Sequence, residues 1–421
     1  MSDFESPYEI HGRVASLFRD LDEATIDWLL IRGEERLAKP SGDIDILVAP
    51  KDLEKTNRVL LRLGFSRQGS ALLVTRRAYV AYVPQDDIWL RIDLVTRVAF
   101  GELLEFDTSA SRKFLAEKRR EGILYLPEQN DAFWHLLLHY MLDRGSIPEL
   151  WRPVINERSK VARAVGSIAT HLDNLPASVT SLELLTSVQT ADWSSLNTSF
   201  LGIRVAWLRQ QSATQQARYG AQRLLSRMGL GQRTSFRPGL SVAVLGPDGA
   251  GKTTLARGLQ DSLAIPTRYL YMGLWKEGKL EQLLSHVPGM NLLLLLTRFA
   301  ARSCRLNYLR WRGRVVILDR FSYDAVLVTK DSAWRQRVTA ALVLRVSQTP
   351  DLILVLDLPG EVAFARKGEQ DVATLDQWRE SYRALEVSAA PVVVLDATKP
   401  ISDVRRLAVE AIWNIIRNRT L

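Results

Sequence analysis

Residues Gly246 to Thr253 read G-P-D-G-A-G-K-T. They follow a short apolar run, Leu240 to Leu245, and open a helical pattern that begins at Lys252. Each residue type suits the handling of a polyphosphate. Gly246, Gly249 and Gly251 let the backbone turn and approach phosphate oxygens where a Cβ would clash. The amides of the stretch that includes Asp248, Ala250 and Thr254 then point inward as an anion nest, at the positive end of the helix. Lys252 reaches the β- and γ-phosphates, and Thr253 offers its hydroxyl to Mg²⁺. A glycine-rich turn with a chance lysine has no reason to carry a strand before it and a helix after it. The loop is therefore expected to bind ATP with Mg²⁺ and to pass on its terminal phosphate.

A second element, V-V-I-L-D-R, runs from Val315 to Arg320. An aspartate at the carboxyl end of a buried strand lies where open α/β sheets bind ligands. Asp319 is expected to hold Mg²⁺ through water or to orient the acceptor, and Arg320 to neutralise charge between donor and acceptor phosphates. Asp357 ends the next strand, in L-V-L-D-L-P; such a residue is as often a turn residue as a functional one.

The N-terminal part carries a different constellation. Ser41 to Val48 reads S-G-D-I-D-I-L-V. In a strand, residues two apart share a face, so Asp43 and Asp45 converge. Asp93, in W-L-R-I-D-L-V, ends a second strand. Three carboxylates on adjacent strands make a hard oxygen site for one or two Mg²⁺ ions, which would activate a hydroxyl and steady a triphosphate. His135 and His139 lie four apart on one helix, a zinc-compatible spacing with no third ligand in view. On the apolar stripe F-W-H-L-L-L-H-Y they read as packed or capped histidines, and the Trp and Tyr residues of this region read as core.

In order and spacing, G-P-D-G-A-G-K-T-T, L-D-R-F, P-D-L-I-L-V-L-D-L-P-G-E-V-A, W-R-E-S-Y and V-V-L-D-A-T-K-P-I-S-D-V resemble thymidylate kinase, over about Leu240 to Asn418. The resemblance implies a five-stranded parallel sheet and a mobile lid near Arg366 to Asp371. There Arg366 and Lys367 would close over the phosphates. It also implies an arginine that grips the acceptor, and Arg298 stands at a similar spacing, with Arg302 and Arg305 on the same helical face. After the D-R-F/Y segment the family usually has a serine or threonine, where this chain has Asp324, followed by Ala325, Val326 and Leu327. A buried carboxylate asks for donors. The acceptor is therefore expected to be phosphorylated or nucleotide-like but not simply dTMP.

Residues Ala24 to Leu94 resemble the nucleotidyltransferase superfamily shared with polymerase β. That family usually has Gly-Ser on the turn before its aspartates, where this chain has Gly33-Glu34. A glutamate there would repel phosphate.

These sites need positioning elements. The 421 residues are too many for one core. The expected class is α/β, in three parts. Residues 1–107 form a mixed α+β nucleotidyltransferase-like domain, with strands over Ala71–Tyr82 and Ile88–Val95 as a hairpin. Residues 108–238 are a helical region ending in a linker, M-G-L-G-Q-R-T-S-F-R-P. Residues 239–421 form a parallel sheet with helices on both faces, its strands at Leu240–Leu245, Arg268–Tyr271, Val315–Leu318, Leu352–Leu356 and Val392–Leu395. The longest apolar run, Leu292 to Leu296, is far short of a membrane span. One cysteine, Cys304, and a polar, acidic start without a leader pattern suit a reducing cytoplasm.

The net charge is +9. That excess serves anionic substrates, nucleic acid, a membrane surface or plain solvation. No sequence-reading motif is present, so nucleic acid ranks last among the partners. The first expectation is an ATP-dependent nucleoside monophosphate kinase joined to a Mg²⁺-dependent nucleotidyltransferase. Its partners would be a nucleoside triphosphate donor and a nucleotide or phosphorylated small-molecule acceptor; a homodimer stays open. The alternatives are a kinase with a non-catalytic substrate-binding N-terminal domain, or a P-loop regulatory or nucleic-acid-associated protein.

Overall fold

The computed structural model describes residues 7–68, 76–177, 179–227, 238–273, 290–323, 338, 341–345, 347–368, 370–385 and 390–420. Contacts divide the chain into two units, Met1–Ala81 with Trp89–Gln232, and Tyr82–Ile88 with Arg233–Leu421.

The first unit is built on strands β1 (Trp28–Arg32), β2 (Asp43–Val48), β3 (Ser66–Gln68), β4 (Arg76–Val83) and β5 (Ile88–Val95), in the order β1-β2-β5-β4-β3. β1 and β2 are antiparallel, whereas β2 and β5 are parallel and set Asp45 opposite Asp93. Of the expected hairpin, the first strand begins at Arg76, and 71–75 lie outside the described residues. Two small ribbons follow: β6 (Ala99–Phe100) with β7 (Phe106–Asp107), and β8 (Arg119–Glu121) with β9 (Leu124–Leu126).

Next comes the helix Gln129–Leu138, which continues as a π-helical turn, His139–Arg144. Five further helices run between Arg152 and Arg227. The one at Ser181–Gln189 starts at a reciprocal cap between Thr180 and Glu183, which satisfies amides that the first turn leaves open. These helices share one core with the sheet: Leu29, Leu47, Val95 and Phe106 pack with Phe133, Leu137, Ile155, Leu184, Phe200 and Trp207. The linker expected at 228–238 lies outside the described residues except for Pro238.

The second unit has a five-stranded parallel sheet, in the order β11-β12-β10-β13-β14. Its members are β10 (Ser241–Leu245), β11 (Thr267–Tyr271), β12 (Val315–Asp319), β13 (Leu352–Asp357) and β14 (Val392–Asp396). The central strands β10 and β12 are buried along their whole length. On one face Ala243, Leu245, Val316 and Leu318 pack with Phe299 and Leu306 of the helix Met290–Trp311 and with Tyr382 of the helix Val372–Arg383. By the alternation of a strand, Val242 and Val244 face the other way. They are buried too, as are Leu255 and Leu259 of the helix Lys252–Ser262 and Ala408 and Ile412 of the helix Ile401–Thr420. β14 departs from the continuous burial its apolar run implies: it is an edge strand, and Val394 is 47% exposed. Among the described residues no helix is long and apolar enough to cross a membrane.

Candidate functional site

In the second unit, β10 ends where the loop Gly246–Gly251 begins, and the loop runs into the helix that starts at Lys252. Gly246 has φ 144°, and a Cβ there would stand 2.7 Å from the Leu356 carbonyl oxygen; Gly249 has φ 85°, and its Cβ would stand 2.7 Å from the Ala363 carbonyl oxygen. Only glycine fits either place. Ala250 is buried, while Thr253 and Thr254 are exposed on the first turn of the helix.

Lys252 is 6% exposed, and its ammonium donates to the carbonyls of Gly246 and Pro247, each at 2.8 Å, and to Asp248 at 3.2 Å. Asp248 also accepts from Arg320 at 2.7 Å. Burial pushes the Asp248 carboxyl up, but the charges of Lys252 and Arg320, with Lys367 behind them, outweigh it and hold it below the usual carboxylate range. Arg320 reaches Asp248 from a left-handed backbone conformation, φ 66°, which costs a non-glycine residue about 1–3 kcal/mol.

Asp319, at the end of β12, is 1% exposed. Its Oδ2 accepts from the Thr253 hydroxyl and from the Tyr269 hydroxyl, both at 2.7 Å, whereas its Oδ1 is buried without a hydrogen-bond partner among the described residues. The Ser322 hydroxyl nearby in the chain is buried and equally without a partner among the described residues. An orphaned carboxylate oxygen beside a threonine hydroxyl, at the positive end of a helix, fits the water shell of a Mg²⁺ ion. Burial, then Asp319 itself, raises the Tyr269 phenol, so the phenol stays a donor to that carboxylate.

The structure thus brings the loop, Lys252, Thr253, Asp319 and Arg320 together. It places the remaining acceptor and lid candidates less closely. Arg298 is half-buried on the helix Met290–Trp311, where its neighbour Arg302 donates to the Gly273 carbonyl at 2.8 Å. Asp324 lies outside the described residues. Arg366 and Lys367 sit in the last turn of the helix Gly360–Lys367; Arg366 points to the Ala397 carbonyl at 3.5 Å, while the charge of Lys367 reaches Asp248. Asp357 is clamped by Arg379 through two contacts, at 2.5 and 3.0 Å, which holds its carboxyl low and marks it as a packing ion pair. Tyr269 and Ser322 escaped sequence reasoning, since neither belongs to a spaced motif.

In the first unit, Asp43, Asp45 and Asp93 line one cavity of about 300 Å³ with Arg32, Arg76, His139 and Arg144. The parallel pairing of β2 with β5 brings them there. The acids are already engaged. Asp45 accepts from Arg32 at 2.8 Å, and Asp93, buried, accepts from Arg76. Burial raises the Asp93 carboxyl above the usual range; Arg76 pulls it down, and Asp45 and Asp43 push it up. Among the described residues no group of three or more acidic, histidine or cysteine side chains is gathered to hold a metal ion. The expected Mg²⁺ site of Asp43, Asp45 and Asp93 is therefore not formed in this arrangement, because arginines occupy two of the three.

Glu34 does not stand as a bare repulsive charge: it is buried and paired with Arg158 at 2.9 Å. His135 lies between the rings of Phe100 and Phe114, and burial lowers it well below the ordinary 6.5. His139 shares a hydrogen with Asp143 at 2.6 Å, and Asp143 is held by the Gly101 amide at 2.5 Å. Both histidines are packed, with no zinc set around them among the described residues. Trp28 and Trp134 are core, as expected, whereas Trp151 is half-buried and lines a second, larger cavity of about 490 Å³.

No family model matches the chain. It is 28% identical to a probable thymidylate kinase of Archaeoglobus fulgidus over 193 residues, 42% of this chain and 98% of the relative. It is 29% identical to a thymidylate kinase of Xylella fastidiosa over 200 residues, 43% of this chain and 90% of the relative. A solved thymidylate kinase from Candida albicans superposes with a TM-score of 0.34 at 21% identity, over 42% of this chain and 91% of that one. Over about 42% of its length, then, the chain is homologous to thymidylate kinase-like P-loop kinases.

Proposed function

We propose that the second unit is a phosphotransferase of the nucleoside monophosphate kinase type. It takes ATP as donor and a nucleotide or other phosphorylated small molecule, not simply dTMP, as acceptor. The observation that carries this reading is the junction of Lys252, Thr253 and Asp319 at the mouth of a loop where a Cβ on Gly246 or Gly249 would clash with backbone oxygens. Lys252 donates to the carbonyls of its own loop, and those neutral partners can be exchanged for the β- and γ-phosphates of the donor. Thr253 and Asp319 are the residues that would hold Mg²⁺. The ion, when bound, supplies charge neutralisation between β- and γ-phosphates. Arg320, held on Asp248, is placed to steady charge passing between donor and acceptor. Arg298 remains the candidate grip on the acceptor phosphate, Asp324 the residue that sets its identity, and Arg366 with Lys367 the lid.

A second reading, that the first unit is a nucleotidyltransferase head, is favoured by the shared cavity of Asp43, Asp45 and Asp93. As paired here these residues do not fit a Mg²⁺ site, so no step through the metal is derived for them. The competing reading is a head that only binds substrate.

One experiment tests both. ATP labelled at either the γ- or the α-phosphate is incubated with the full chain, Mg²⁺ and a panel of nucleoside monophosphates and sugar phosphates. Transfer of the γ-label, with a nucleotide other than dTMP turned over faster than dTMP, is the expected result. Turnover of dTMP at least as fast as every other acceptor would make this a plain thymidylate kinase. α-Label transfer that survives Asp45→Asn sinks the nucleotidyltransferase reading as surely as its absence.

A further inference from the structure

The larger cavity of the first unit has a chemistry that neither reading above assigns. Four guanidinium groups line it, those of Arg32, Arg36, Arg144 and Arg158. Two are compensated, Arg32 by Asp45 at 2.8 Å and Arg158 by Glu34 at 2.9 Å. The other two are not. The carboxylate nearest Arg36 is Glu35 at 3.9 Å, with both side chains at least 43% exposed, a separation and setting that contribute little. Arg144 is exposed, and among the described residues no carboxylate pairs with it. It is carried to the wall by the π-helical turn, a local departure from the α-helix that often marks a functional position.

An apolar surface stands beside these charges. The guanidinium of Arg36 lies 4.5 Å over the ring of Trp151, which leans on Tyr140 at 5.5 Å between ring centres. Trp28, Trp134 and Phe133 of this unit are fully buried, while Trp89, Tyr125 and Trp193 are half-buried. Trp151 is kept half-exposed in a concavity of about 490 Å³, within the range that encloses small ligands.

We infer that this cavity binds an organic phosphate carried on a ring, with the phosphate between Arg36 and Arg144 and the ring against Trp151 and Tyr140. A guanidinium fork matches phosphate oxygens in pairs, and an amphipathic aromatic wall gives contact area to a flat ring. Four guanidinium groups against two lining carboxylates, Glu35 and Asp43, leave the wall net positive, which favours an anionic ligand. The inference concerns binding alone and stands apart from the nucleotidyltransferase reading. If α-label transfer is absent while the cavity binds its ligand, that reading falls and this one stands.

The test is calorimetric titration of the full chain with phenyl phosphate, without Mg²⁺ or nucleotide. Phenol and inorganic phosphate serve as half-ligands. Binding of phenyl phosphate is expected to be tighter than that of either half. It should weaken by roughly tenfold or more in Arg144→Glu and several-fold in Trp151→Leu, as loss of a charged contact and of a ring contact imply. Lys252→Ala should leave it unchanged, which separates this site from the phosphate loop. Arg144→Gln, with less charge change, guards against a folding defect and should fall between wild type and Arg144→Glu. No binding up to about 10 mM, equal binding in Arg144→Glu, or loss of binding in Lys252→Ala alone would each overturn the inference.

Discussion

The two candidate sites treat their charges in opposite ways. In the second unit the cation Lys252 is tied mostly to backbone carbonyls, and Asp319 keeps one buried oxygen without a partner among the described residues. In the first unit Asp45 and Asp93 are each matched by an arginine, Arg32 and Arg76. Neutral carbonyl partners are readily exchanged for phosphate, and an orphaned buried oxygen is a standing cost that a ligand removes. A carboxylate already paired with a guanidinium has less to gain from a metal ion. The difference separates a site poised for ligand from one whose charges are already satisfied.

The sharpest way to break that comparison is Lys252→Ala. Loss of a preorganised charge should lower γ-phosphoryl transfer by about 10²-fold or more. Unchanged ATP affinity and turnover would remove the loop from the mechanism. The thermal stability of the first unit should not respond.

A smaller effect is expected from Arg76→Ala. It leaves the buried Asp93 carboxylate without its guanidinium, and such a loss costs about 1–3 kcal/mol where water can enter, as it can in this open cavity. Urea unfolding of the full chain measures it. A variant as stable as the parent would mean that Arg76 does not neutralise Asp93, and would reopen the carboxylates to a metal ion.

The smallest effect concerns pH. Burial lowers His135 well below the ordinary 6.5, and its Nδ1 has no partner among the described residues. The folded state therefore binds fewer protons than the unfolded one just below that value. Stability from this group is complete above about pH 6.5 and is lost as pH falls toward the lowered folded value. His135→Leu, an apolar replacement between Phe100 and Phe114, should change stability little at pH 8 and flatten the acid side of the curve. Melting temperatures between pH 5 and 8 decide it; an equally steep acid loss in the variant would assign that loss to His139 or His171, which are lowered as well.

Much of the second unit was legible because its signals are local. A loop motif of eight consecutive residues states its own geometry, and buried parallel strands read as unbroken apolar runs. The ends of β10, β12 and β13 fall within one residue of their expected places. The first unit was legible only in part. Alternation in D-I-D put Asp43 and Asp45 on one face, and the sequence also pointed to Asp93. It held no trace of Arg32 and Arg76 as their partners, since these come from other strands of the sheet.

The sequence by itself determined the glycine loop, the strand that ends at Asp319 and the order of the sheet-forming runs, because each depends on residues adjacent in the chain. Only the tertiary structure decided which charges cancel. Tyr269 meets Asp319 across 50 residues, Arg158 meets Glu34 across 124, and Trp151 is held open to solvent beside Arg36 rather than buried in the core. Such pairings follow from how strands and helices pack, and electrostatic energy depends on separation and burial in space, which sequence distance does not encode.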